Sequence, residues 1–319
     1  KNFCGRIGTV GQRAGNFTLQ NADVILFLGT RNNIRQISYN WENFAKNAYK
    51  IVVDIDTAEL NKPTVTPDLK INADLREFIP ELSDNFPELD VKEWLNFSKN
   101  IQNKFTFDKT TEYHSKRNTI NVYDFIHTLT ELMSEKDIMI TGNGSACVCT
   151  HQTGIVKSDQ RIFWNSGDAS MGYDLPAAIG ACYEADDRNV ICLTGDGSIM
   201  MNIQELQTLN YNKLPLKIFI INNAGYSSIR QTQRNFFNGH MTGSGADSGV
   251  SVPDFCKLAE GFGLMSTRIS NPSTMNEELS KVLHMSTPII CEVMVEEEYA
   301  FLPKLSAKRL PDGTMVSPS

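Results

Sequence analysis

Two short stretches carry the residues best suited to chemistry. Gly195-Asp196-Gly197-Ser198 closes the apolar run 189–194, and Asn222-Asn223-Ala224-Gly225-Tyr226 closes the apolar run 216–221. Glycines at such a strand end let main-chain N–H groups approach a phosphate closely, a following helix adds its positive N-terminal end, and Asp196 can hold a divalent cation. Asn223, 27 residues after Asp196, supplies a neutral carbonyl oxygen from the neighbouring strand end. A hard ion such as Mg²⁺ takes near-octahedral oxygen ligation and prefers one or two protein groups, completed by phosphate oxygens and water. Asp196, Asn223, a main-chain carbonyl near Gly225 and a diphosphate would fill most of that shell. Each stretch alone reads as a surface turn. It is the pair, at this spacing and each at a strand end, that argues for a cation and a diphosphate.

Such residues need strands to present them, and the chain alternates accordingly. Runs 22–29 (ADVILFLG) and 51–55 (IVVDI) are continuous and apolar, which suits parallel strands buried on both faces. Residues 76–97 read as helix broken at Pro80 and Pro87, and 99–118 is polar and aperiodic, a linker between domains. A second series follows: a helix over 122–133, a strand over 137–141, a glycine turn at 142–145, and a small-residue helix over 174–183 with Pro176 in its first turn. Strands are expected at 189–194, 216–221, 264–269 and 288–295, with helices at 202–212, 253–261 and 273–285. Alternation this regular predicts an α/β fold with a doubly wound, mostly parallel sheet, whose ligand lies beyond the carboxyl ends of the strands.

Composition narrows the function classes. The 319 residues are 41% hydrophobic and 21% charged, the profile of a folded globular chain of about two domains, not of a disordered or coiled-coil one. A net charge of -7 with no Lys/Arg block longer than a pair argues against an electrostatic grip on nucleic acid or anionic membrane. No apolar run reaches the ~18 residues of a membrane span, and residues 1–8 lack the pattern of a secretory leader, so a cytoplasmic site is expected. The seven cysteines are scattered within apolar stretches and read as reduced core thiols; Cys147-Val148-Cys149 has no second pair at zinc spacing. No G-x-G-x-x-G turn follows a first strand, which disfavours a nicotinamide dehydrogenase.

Taken together, Gly195-Asp196-Gly197-Ser198, then 202–206 (NIQEL), Leu214-Pro215 and Asn222-Asn223 resemble the thiamine diphosphate motif of the pyruvate decarboxylase and acetolactate synthase superfamily. Upstream, 167–180 (GDASMGYDLPAAIG) is similar to the segment that passes under the cofactor in acetolactate synthases. Residues 1–75 resemble the second half of that family's central domain, in 8–11 (GTVG), 21–24 (NADV), 29–31 (GTR) and 54–56 (DID).

The resemblance implies thiamine diphosphate and Mg²⁺ as cofactors, with a 2-oxo acid such as pyruvate decarboxylated and its two-carbon unit transferred. By position, Asp196, Asn223 and the Gly225 carbonyl would bind Mg²⁺, while Gly195, Gly197 and Ser198 would contact the diphosphate, together with Gly144, Ser145, Tyr226 and Ser227. Met171 would be the apolar wedge that bends the cofactor, and the Ala169 carbonyl would accept from its exocyclic amine. Ser228, Arg230 and Thr232 would face substrate. The chain would comprise part of a Rossmann-like central domain at 1–98, a linker at 99–118, the thiamine diphosphate-binding domain at 119–300 and a tail at 301–319.

Departures from the family pattern shape further expectations. Ser145-Ala146 stands where acetolactate synthases have Gln-His, and Thr232 where they have a Trp, so the acceptor pocket would be wider or more polar. Asn32-Asn33 replaces Phe-Asp beside Arg31, Asp54 and Asp56, where relatives bind FAD, which leaves FAD an open question. Residues 237–250, with four glycines, read as a flap or a surface loop carrying His240, while His127 and His151 fit helices. The family's activating Glu resides in an N-terminal domain, and no carboxylate here fills that role, so the chain reads as a fragment of an enzyme whose site is shared in a homodimer or homotetramer. Two alternatives stay open: a simple 2-oxo-acid decarboxylase or other carboligase, and a non-catalytic cofactor-binding or oligomerisation module.

Overall fold

A computed structural model describes residues 2–115, 118–302 and 308–316. The chain divides into two units, Lys1–Thr110 with Pro303–Ser319, and Thr111–Leu302. The division falls within the segment 99–118, and the first part of that segment is helical. Of the expected tail, 303–307 and 317–319 lie outside the described residues, while Lys308–Arg309 and Met315–Val316 form a small antiparallel hairpin.

The first unit runs α1 (Arg13–Gln20), β1 (Val24–Leu28), α2 (Ile34–Ile37), β2 (Tyr49–Asp54), α3 (Thr57–Asn61), β3 (Leu69–Asn72), α4 (Leu75–Asn85) and α5 (Lys92–Lys104). Its three strands are parallel in the order β1-β2-β3. Phe27, Ile37, Phe44, Val52, Leu60 and Val65 share one core. Burial on both faces, as expected for 22–29, does not hold: β1 is an edge strand and Val24 is exposed, whereas Val52, Val53 and Asp54 of the central β2 are buried. Pro80 does not break α4. It forfeits one bond to the carbonyl of Arg76 on a face exposed to solvent, and the interruption comes at Pro87. Asp56 and Asp74 cap α3 and α4 by accepting the N–H groups of Ala58 and Arg76 at 2.8 Å each. Helix α5 continues past residue 99 because Phe97, Ile101 and Phe105 recur at helical spacing and stay half-buried.

The second unit runs α6 (Val122–Leu132), β4 (Ile138–Thr141), α7 (Gly144–Thr153), β5 (Arg161–Trp164), α8 (Asp174–Tyr183), β6 (Val190–Gly195), α9 (Asp196–Ile199), α10 (Glu205–Asn212), β7 (Leu216–Asn222), α11 (Ser227–Phe236), α12 (Phe255–Gly261), β8 (Met265–Ile269), α13 (Met275–Leu283) and β9 (Ile289–Met294). Six parallel strands lie in the order β5-β4-β6-β7-β9-β8 with helices on both faces, so the expected doubly wound α/β fold is what forms. All seven residues of β7 are buried, Lys217 included; its ammonium donates to Asn189 Oδ1 at 2.8 Å and to the Pro215 carbonyl at 3.2 Å. Ile140, Leu175, Cys192, Leu206, Ile218 and Ile290 belong to one core cluster that fastens helices to the sheet, each such side chain contributing about 1.5–3 kcal/mol. Strands β3 and β5 escape sequence reading because LKIN and RIFW are short and mixed in polarity. The strand order reverses between β4 and β6, and a crevice at such a switch point is where open α/β sheets take ligands.

Candidate functional site

The ends of β6 and β7 are neighbours, Gly195 registering with Ile221. That register places Asp196, the next residue, beneath the loop that leaves β7. Its Oδ2 accepts the N–H groups of Asn223 at 3.1 Å and Gly225 at 2.9 Å, and its Oδ1 accepts that of Gly197 at 2.7 Å. Asp196 is 2% exposed, and burial pushes its carboxyl up to about 6; the three N–H groups and the Arg230 charge oppose the rise. Asn223 is buried too. Its Nδ2 donates to the Tyr299 hydroxyl at 2.9 Å, while its Oδ1 has no hydrogen-bond partner.

The loop is shaped from behind by its own neighbours. Ala224 takes a left-handed φ of 60° and Gly225 a φ of 127°, and a Cβ on Gly225 would meet the Ser244 carbonyl at 2.7 Å. Asn222 spans the bend: its Oδ1 accepts from Ala224 N–H at 3.0 Å and its Nδ2 donates to Glu292 Oε1 at 2.6 Å. Glu292 is paired in turn with Arg268 at 2.7 Å, and Arg268 also reaches Asp254 at 2.8 Å, so the acidic cluster Asp254, Cys256 and Glu292 already holds its counter-charge. Arg230 donates to four main-chain carbonyls, those of Asn223, Ala224, Ser244 and Glu297. These bonds commit its guanidinium to holding the loop.

The segment 167–176 docks on the other side. Ser198 Oγ accepts from Gly172 N–H at 3.0 Å and Asn202 Nδ2 donates to the Gly172 carbonyl at 2.7 Å. Ala169 is left-handed, with φ of 56°, and its carbonyl accepts from the Asn143 side chain; Met171 is half-buried nearby in sequence. Asp174, fully buried, accepts from its own neighbour Leu175 N–H at 2.9 Å, and burial raises its carboxyl above the usual range. A Cβ on Gly142 would lie 2.1 Å from Asp174 Oδ2, and one on Gly197 would lie 2.2 Å from Tyr226 Cε1. Glycine at both positions makes room for the side chains of Asp174 and Tyr226 against the strand ends.

Around this centre stand most of the expected residues. Gly144, with φ of 57°, and the buried Ser145 open α7, and a Cβ on Gly144 would lie 3.5 Å from Ser228 Oγ. Tyr226 and Ser227 open α11 beside Asn223. Thr232 is exposed and bonded to the Ser228 carbonyl at 3.1 Å, one turn away from the others. Three participants were given no role of their own from the sequence: Asn143, in the turn 142–145, Asn222, quoted only as part of its motif, and Tyr299. The first two lie within those stretches, whereas Tyr299 sits 76 residues from Asn223 with nothing local to single it out. Ser244, at the middle of 237–250, is fully buried against the loop, while His240 is exposed; His151 packs edge-on against Trp164, and His127 bonds the Thr153 carbonyl.

The donor set fits a divalent cation with a diphosphate: a buried carboxylate, a buried amide oxygen left without a partner, and glycines that open room for phosphate. The residues expected toward FAD have partners of their own. Arg31 is paired with Glu59 at 2.8 Å, Asp54 accepts Asp56 N–H at 2.9 Å and Asp56 caps α3.

Comparison with known proteins agrees with this geometry. The model of "Thiamine pyrophosphate enzyme, C-terminal TPP binding domain" matches residues 142–293, and that of "Thiamine pyrophosphate enzyme, central domain" matches residues 1–82. Acetolactate synthase isozyme 1 large subunit of Escherichia coli is 30% identical over 299 residues, which is 94% of this chain and 52% of that protein. Acetolactate synthase large subunits of Lactococcus lactis and Porphyra purpurea are 31% and 32% identical, over 95% and 92% of this chain and 51% and 50% of theirs. The chain thus spans about half the length of the curated relatives it matches. With both domain types in sequence order and the site built from the matched strand ends, the chain belongs to the thiamine pyrophosphate enzymes.

Proposed function

We propose that this chain is the cofactor-binding part of a thiamine diphosphate- and Mg²⁺-dependent enzyme that decarboxylates pyruvate or a related 2-oxo acid and transfers the two-carbon unit. The observation that carries the reading is the unpartnered side-chain Oδ1 of Asn223, a residue whose main-chain N–H is tied to the Asp196 carboxylate. An orphaned buried acceptor is costly, and a cation is the partner that its position supplies.

When bound, thiamine diphosphate supplies the electron sink that lets a 2-oxo acid lose carbon dioxide. The protein's share is placement. Asp196, Asn223 and the Gly225 carbonyl would hold Mg²⁺, and Gly144, Ser145, Gly195, Gly197, Ser198, Tyr226 and Ser227 would receive the diphosphate. Met171 and the Ala169 carbonyl would support the remainder of the cofactor, the carbonyl exchanging its Asn143 donor for the cofactor's amine. Arg230 fixes the metal loop, and the buried strand ends keep water from the anion, which strengthens every electrostatic contact there. Substrate would meet Ser228 and the exposed Thr232. The seven cysteines form no disulfide among the described residues, which supports a reducing, cytoplasmic setting, and a homodimer or homotetramer would complete the site.

The test is product analysis with pyruvate using the full-length protein. Acetolactate is expected. Acetaldehyde without acetolactate would favour a simple decarboxylase, the second reading that Thr232 and Ser145-Ala146 support; cofactor binding without turnover on any 2-oxo acid would overturn the enzymatic proposal.

A further inference from the structure

Tyr299 belongs to the segment that follows β9, yet its hydroxyl sits among site residues. Asn223 Nδ2 donates to it at 2.9 Å, and the hydroxyls of Ser145 and Ser227 are its other partners. The backbone that carries the ring is fastened to α11: Gln231 Nε2 donates to the Tyr299 carbonyl at 2.8 Å, and Arg230 donates to the Glu297 carbonyl at 2.8 Å. The ring also meets Phe301 edge-on, with centroids 6.0 Å apart.

The hydrogen-bond accounting at this oxygen is informative. A phenol has one proton to give and two lone pairs with which to accept. Asn223 Nδ2 can only donate, whereas Ser145 and Ser227 can each donate or accept, so the phenol can give its proton to one serine and accept from the other and from Asn223. Three hydroxyls and one amide thus meet at one point, and the protons they can turn outward suit a phosphate oxygen, which only accepts. The other atom of the same Asn223 amide, Oδ1, is the unpartnered one.

We propose that Tyr299 is a further diphosphate-binding residue, its hydroxyl donating to a phosphate oxygen gathered among Ser145, Ser227 and Asn223. The assignment rests on the diphosphate reading of the site given above. Because α11 holds the strap, the ring needs only a side-chain adjustment to yield the central position while keeping a hydrogen bond. Burial raises the phenol's pKa, so it remains a neutral donor beside a centre whose charge Mg²⁺ would balance.

Tyr299→Phe removes one oxygen and keeps the ring. Titration calorimetry of the full-length protein with thiamine diphosphate and Mg²⁺ should show an affinity loss of about tenfold, as for one charge-assisted hydrogen bond, with the melting temperature of the unliganded protein unchanged. Unchanged affinity overturns the assignment, and so does a lowered melting temperature with affinity retained. Tighter binding also overturns it, because the phenol would then be a plug that competes with phosphate. Asp196→Ala, measured alongside, separates the two levels. If Asp196→Ala binds as well as the parent protein, the diphosphate reading itself is wrong; if it loses binding and Tyr299→Phe does not, only the Tyr299 assignment fails.

Discussion

Asp196 Oδ2 accepts the main-chain N–H of Gly225 at 2.9 Å, across 29 residues of sequence, and so ties the end of β6 to the loop after β7. The carboxylate therefore shapes the loop whose oxygens would share its cation. Asp196→Ala removes a ligand and three N–H acceptors at once, and should abolish Mg²⁺-dependent binding of thiamine diphosphate by calorimetry. Affinity equal to that of the parent protein would show that the diphosphate lies elsewhere.

Proton and metal compete for that carboxylate. Burial pushes Asp196 up to about 6, and a bound cation needs the deprotonated form. Mg²⁺ affinity should be full above about pH 7 and fall as the pH drops through 6, approaching tenfold per pH unit below that. Magnesium titrations from pH 5 to 8 check this, and a flat profile would count against Asp196 as a ligand.

Substituting Ala for Gly142 places a methyl where Asp174 Oδ2 now lies, 2.1 Å away, and Asp174 is fully buried with no room to retreat. The expected cost is about 1–3 kcal/mol, the usual range for overpacking, read from denaturant unfolding. Gly197→Ala instead meets the half-buried ring of Tyr226. That ring can swing outward, so the main effect should be weaker diphosphate binding with a smaller loss of stability.

Arg230→Met would leave the carbonyls of Asn223, Ala224, Ser244 and Glu297 without their shared donor. A stability loss of about 2–4 kcal/mol is expected, on the scale of breaking a buried charged network, together with weaker Mg²⁺ binding. Arg230→Lys should not rescue either property, because an ammonium cannot fork toward four acceptors. Full rescue by Lys would reduce the residue's role to its charge.

What could be read in advance follows from where the information is stored. The strand ends were legible because apolar runs closed by Gly195 and Asn222 are local patterns, and the six-strand sheet follows from their alternation with helices. Asp196 and Asn223 were legible because both lie at such ends. Tyr299 was not, since its place depends on how the chain returns after β9, and a lone Tyr in an acidic stretch carries no periodic mark. The carbonyls that Arg230 meets were hidden for a related reason. A helical Arg looks solvent-bound in sequence, and only the fold reveals carbonyls turned toward it. Pro80 misled because its cost is set by exposure, which its neighbours in sequence do not encode.

The strand order has a consequence for how this chain comes to be. In the second unit β8 pairs with β9 alone among the described strands, and β9, which is made later, also pairs with β7. During synthesis β8 emerges before the strand that will hold it, and waits as an unpaired edge while α13 follows. Only when residues 289–294 have left the ribosome can the sheet close over Asn222, whose amide then finds Glu292. The loop after β7 is thus braced by a strand made after it, so its final shape waits on a contact 70 residues further along the chain.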